Sequence, residues 1–207
     1  MLKDVLRVLW RGIMQFEHHG WVYVIANLFA VLISIPLITL PLAFAGLSYM
    51  SYQAQTSPAA HVDEFWAGVR KYWRHALLVG LVDVVFFAVL AVNFAYFLDR
   101  AGVLIVALRI FWLIALLLWA CVQFYLWPLL EEMDQPSLRD GVRNALVMIL
   151  RNPGFSLLFS AIMVLFFLIS IALFAVMMLV TLSLIACLST TAVRDRLSSY
   201  RATQKQH

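Results

Sequence analysis

Four polar side chains interrupt long apolar stretches of this chain: Asp83, Asn93, Arg109 and Gln123. Each could move a proton, hold a cation or hydrogen-bond a solute, and an ionisable group inside a lipid-facing helix is costly enough to be read first as functional. Their spacing offers a plainer reading. In an antiparallel helical pair turning near residue 101, Asn93 faces Arg109 and Asp83 comes near the depth of Gln123, so each pair could satisfy itself across the interface. Structural pairing is therefore expected for Asp83. A proton or cation site is the alternative, opposed by the lack of a second deep acid.

Two further clusters invite a chemical reading. Glu17-His18-His19 and Glu131-Glu132-Met133-Asp134 contain metal-ligand types, but adjacent histidines on a helix point about 100° apart and would not share one ion easily. The acids are expected to offset Arg139 and Arg143 or to cap helix ends. Neither HExxH nor GxSxG occurs, nor a Walker loop or dinucleotide fingerprint. Cys121 and Cys187 lie within apolar runs and form no CxxC pair, so they read as small hydrophobes. No metal, no cofactor and no enzymatic activity is expected.

The elements that must carry these residues are lipid-soluble. Phe155 to Val193 is 39 residues without Asp, Glu, Lys or Arg, and Gly20 to Val62 is another 43. Hydrophobic residues make up 64% and charged residues 13% of the 207, against about 25% charged in soluble domains. The mean hydropathy is +0.92. One integral membrane domain, 1–207, follows, with apolar blocks at about 21–52, 76–98, 103–130 and 155–192. The middle two match single spans of about 20 residues. The outer two are too long for one: 32 and 38 helical residues would run about 48 and 57 Å through a core of about 30 Å. Each must turn back or project well beyond the bilayer; a bend at Pro36 and Pro41 and a turn near 170–175 are expected. The first 20 residues, amphipathic at about 2–17, lack the apolar core and cleavage site of a secretory signal.

Basic residues decide between topologies. Clusters lie in 1–20, 53–75, 131–154 and beyond 193, and if both long blocks are hairpins, 13 of the 15 face one side, leaving Arg100 and Arg109 opposite. The positive-inside bias makes that side the cytoplasm, with both termini there. The expected fold is an all-α polytopic bundle of three helical hairpins, four to six membrane segments, with two interfacial amphipathic helices between them, at about 58–75 and 137–151. Ser57-Pro58 reads as the start of the first and Ser137 to Asp140 as a capping box on the second. Trp66, Val69 and Trp73, or Leu138, Val142 and Leu146, would then face lipid or the bundle. Arg70, Lys71, Arg74, Arg139 and Arg143 would be left to anionic headgroups or an acidic partner. Trp10, Trp21, Trp66, Trp73 and Trp127 near block ends read as an aromatic belt.

The order of these pieces resembles the YesL-like family, a group of uncharacterised bacterial integral membrane proteins. The likeness lies in Asn27-Leu28, Ser34 to Pro41, Ala45 to Tyr49, Phe65 to Arg70, Phe124 to Leu129, and Leu138 to Asn144 with Asn152-Pro153. Leu40 stands where that family often has glycine between the two prolines. The resemblance implies a bacterial inner-membrane protein accompanying solute uptake, carbohydrate uptake in particular, and carries over no catalytic residues. The expected function is thus a non-enzymatic accessory or assembly component in the bilayer, partnered by another membrane protein or complex and not by nucleic acid. A small transporter or channel with Asp83 in its pathway is the alternative; an intramembrane enzyme is a third option with no motif behind it.

Overall fold

Proline, charge and one unforced turn divide the chain into helices. The computed structural model describes residues 2–57, 60–97 and 102–204, and every regular element among them is helical. In order these are α1 (Leu2–His18), α2 (Gly20–Ile33), a 3-10 turn (Leu37–Thr39), α3 (Leu40–Thr56), α4 (Val62–Tyr96), α5 (Val103–Glu131), α6 (Leu138–Arg151), α7 (Pro153–Ala172), the short α8 (Phe174–Val176), a π-turn (Met177–Thr181) and α9 (Leu182–Gln204). Among the described residues four helices are long and apolar enough to cross a membrane, or five spans if the bent α1 and α2 together make one. The all-α bundle expected from composition is what forms.

Both long blocks turn back. In the first, Pro36 cannot donate to the ladder and the helix stops at Ile33. Thr39 closes the tip, its hydroxyl donating to the carbonyls of Ile33 and, at 2.6 Å, Pro36. Pro41 then sits in the first turn of α3, where a missing N–H costs nothing. At 14 and 17 residues the arms reach about 21 and 26 Å, short of a full crossing. In the last block the chain leaves helical geometry at Leu173 (φ −104°, ψ 75°), inside the expected window.

Small residues set how closely the helices approach. A methyl on Gly68 would lie 2.6 Å from Tyr49 Cβ and 3.0 Å from Gly46 Cα, so α3 and α4 cross backbone to backbone. One on Gly80 would stand 2.0 Å from the Ile38 carbonyl oxygen, which seats the first hairpin's tip on α4.

Four expectations are corrected. Residues 62–75 are no separate flat helix: they are the first turns of α4, continuous to Tyr96 over 35 residues, about 52 Å. Nothing in 62–96 breaks the hydrogen-bond ladder, and Phe65, Tyr72 and Ala76 are buried in the bundle. Ser57 ends α3, and α4 starts at Val62 with the Glu64 carboxylate accepting from the His61 N–H at 3.4 Å; Pro58 lies outside the described residues. Ser137 is the N-cap of α6, but its side chain makes no cap bond. Trp127 leaves the belt: it is 1% exposed, edge-on to Tyr72, whereas Trp10 and Trp21 are largely exposed.

α1 meets α2 at 94°. It buries Val5, Val8 and Gly12 and exposes Leu2, Leu6 and Trp10, the form of a helix lying along a membrane surface. The basic clusters gather at one end of the bundle. Arg11 pairs with Asp195 at 3.1 Å, Lys71 with Glu131 at 2.8 Å, and Glu132 with Arg201 at 3.1 Å and Arg194 at 3.7 Å, tying α1, α4, α5 and α9 together. Glu131 and Glu132 thus serve Lys71, Arg194 and Arg201, not Arg139 and Arg143, because α9 returns to this end.

Candidate functional site

Asp83 lies twelve residues, about 18 Å of helix, beyond Lys71 at the charged end and fourteen, about 21 Å, before Phe97. It is therefore near mid-depth of α4. Its Oδ1 accepts from Trp119 Nε1 at 2.8 Å and from Gln123 Nε2 at 2.6 Å, one turn apart on α5. Antiparallel α4 and α5 thus bring together the pair matched by depth in the sequence. Trp119 is a partner that the sequence reading did not name; its spacing from Gln123, one helical turn, was the available signal.

Beside this triad is a cavity of about 200 Å³. It draws on five helices: Leu40, Pro41 and Phe44 from the start of α3, Asp83 and Phe87 from α4, the Leu116–Trp127 face of α5, Val164 and Phe167 from α7, and Leu182 and Ile185 from α9. The proline-broken hairpin and the deep acid therefore share one space. Its walls are otherwise apolar, six of them aromatic rings: Phe44, Phe87, Trp119, Phe124, Trp127 and Phe167.

Asn93 and Arg109 do not pair. Asn93 Nδ2 donates to Val89 O in its own helix at 2.8 Å. The Arg109 guanidinium donates to the carbonyl of Phe97, where α4 ends. A cation there meets the negative end of the helix dipole, which outweighs a neutral amide as a partner.

One buried polar joint is absent from the polar residues singled out in the sequence. Asn27 of α2 is completely buried. Its Nδ2 donates to the carbonyls of Met177 (3.0 Å) and Met178 (2.7 Å), and its Oδ1 accepts from Ser183 N (2.9 Å). These are backbone groups in and just after the π-turn, where the regular ladder is disturbed. An amide in the apolar first half of an uncharged run of 43 residues was the signal in the sequence.

At the charged end, Arg70, Lys71, Arg74, Arg139 and Arg143 are exposed on α4 and α6. Both helices border one apolar cluster containing Tyr72, Trp127, Leu130, Leu138 and Val142. Lys71 is engaged by Glu131 and lies 4.8 Å from the Tyr49 and Tyr72 ring centres; Arg74 covers Trp73. Arg70, Arg139 and Arg143 have no ion pair or ring contact among the described residues. His18 and His19 touch edge to face at the α1–α2 corner, 4.6 Å apart. Among the described residues, no three His, Cys, Asp or Glu side chains come together as a metal site would need. No protein-family model, curated protein or solved structure matches the chain.

Proposed function

We propose that this is a non-enzymatic multi-pass membrane protein that works as a component of a larger system, of the solute-uptake kind, and docks through the α4–α6 basic face. One observation carries the reading. Other arginines at that end are engaged: Arg7 with Asp4, Arg11 and Arg196 with Asp195, Arg194 and Arg201 with Glu132, Arg151 over Tyr200. Arg70, Arg139 and Arg143 stand exposed without such partners, a surface suited to acidic groups. The likeness to the YesL-like pattern points the same way. Co-purification from native membranes tests it. A stoichiometric partner should accompany the wild type and be lost from a properly inserted Arg70→Glu, Arg139→Glu, Arg143→Glu variant; undiminished recovery removes this face from consideration.

The clustered basic end is the cytoplasmic end in this reading, in a bacterial inner membrane. Cysteines at exposed Thr56, Gln135 and Ala202, in a background lacking Cys121 and Cys187, should all resist an impermeant thiol reagent in intact cells. Labelling of any one refutes the shared side.

The meeting of Leu40 and Pro41 with Asp83 on one cavity favours a second reading, a small transporter. Solute flux from the purified protein in liposomes, with no partner present, would establish it.

A further inference from the structure

The polar wall of the central cavity is chemically one-sided. Asp83 Oδ1 already takes two donors, Trp119 Nε1 and Gln123 Nε2, while Oδ2 has no hydrogen-bond partner among the described residues. No Lys or Arg lines the space. Held as a carboxylate at this depth, Asp83 is stabilised by a countercharge and otherwise takes a proton; the protein supplies only neutral donors.

The remaining walls narrow what could bring that charge. Hard cations such as Na⁺ or Ca²⁺ need several oxygen ligands, and the cavity offers only one carboxylate and one side-chain amide. Six aromatic residues line the space instead. Ring faces attract a desolvated cation, ammonium groups especially, by about 2 kcal/mol or more. An apolar cavity of about 150 Å³ accepts a benzene-sized body, so about 200 Å³ fits a ring bearing a small ammonium head.

We propose that this cavity binds a small organic cation, its ammonium group set between Asp83 Oδ2 and the Phe87 and Phe124 rings and its apolar body held by Phe44 and Phe167. Asp83 then has two roles on its two oxygens: Oδ1 ties α4 to α5, and Oδ2 receives the ligand. The proposal rests on the transporter reading only for what binding accomplishes, and names its substrate class; binding itself does not require flux.

Calorimetry on the purified full chain in lipid nanodiscs separates the two. The probes are benzyltrimethylammonium and its neutral carbon isostere, neopentylbenzene, each titrated into wild type and Asp83→Asn so that partitioning into lipid cancels. The cation should bind the wild type saturably and lose about tenfold or more in affinity in Asp83→Asn, with the isostere changing less than about twofold. Equal loss for both probes, no loss for the cation, or no saturable cation binding overturns the proposal. Should Asp83→Asn not fold, Phe87→Leu with Phe124→Leu decides: the cation should weaken several-fold more than the isostere, and parallel behaviour refutes it. Cation binding without flux in liposomes would uphold the site and reject the transporter reading alone.

Discussion

Asn27 and Asp83 are both polar groups set into apolar helices, and the bundle treats them in opposite ways. Around Asn27, α2, the π-turn and α9 close completely, and the amide spends both ends on backbone groups of the π-turn and the start of α9. Around Asp83, α4 and α5 meet through the triad on one side and leave a cavity on the other. The difference follows the neighbours. In the most apolar stretch of Phe174–Ala202, 61% of residues are buried inside the protein, and in that of α5 none is. A closed polar site is a structural joint, and an open one is available to a ligand.

The contrast should appear first in stability. Asn27→Leu removes three interhelical hydrogen bonds; at about 0.6–1.7 kcal/mol each, the loss should total about 2–5 kcal/mol. Thermal unfolding in detergent measures it, and a drop under about 1 kcal/mol would mean the π-turn satisfies itself. Next comes Gly80→Ala, whose methyl would press on the Ile38 carbonyl and displace the hairpin tip, costing about 1–3 kcal/mol. Trp119→Phe removes one donor from Asp83 and should cost about 0.6–1.7 kcal/mol by the same measurement. Asp83→Asn keeps an oxygen for both donors and should cost least, under about 1 kcal/mol. If Asp83→Asn destabilised the protein as much as Asn27→Leu, the two sites would not differ in kind.

Much of this could be read from residue types alone, because lipid permits few backbone solutions. Hydrogen-bond satisfaction without water requires helices, and their length against bilayer thickness requires the outer blocks to fold back. Pro36 and Asn152-Pro153 mark two breaks by removing donors, and Leu173 falls where length demanded a third. Asp83 and Gln123 were matched by counting residues from a turn. Packing decided the rest. Whether residues 62–75 lie flat or continue into a span depends on Gly46 and Gly68 letting α3 and α4 touch, and no periodicity within one helix reports on its neighbour. The Asn27 joint, the Glu132 ion pairs and the ring of aromatic walls each join residues more than 60 positions apart. Hydropathy describes each helix against lipid; only the tertiary structure says which faces meet protein instead, and therefore which polar atoms are satisfied and which are left for a ligand.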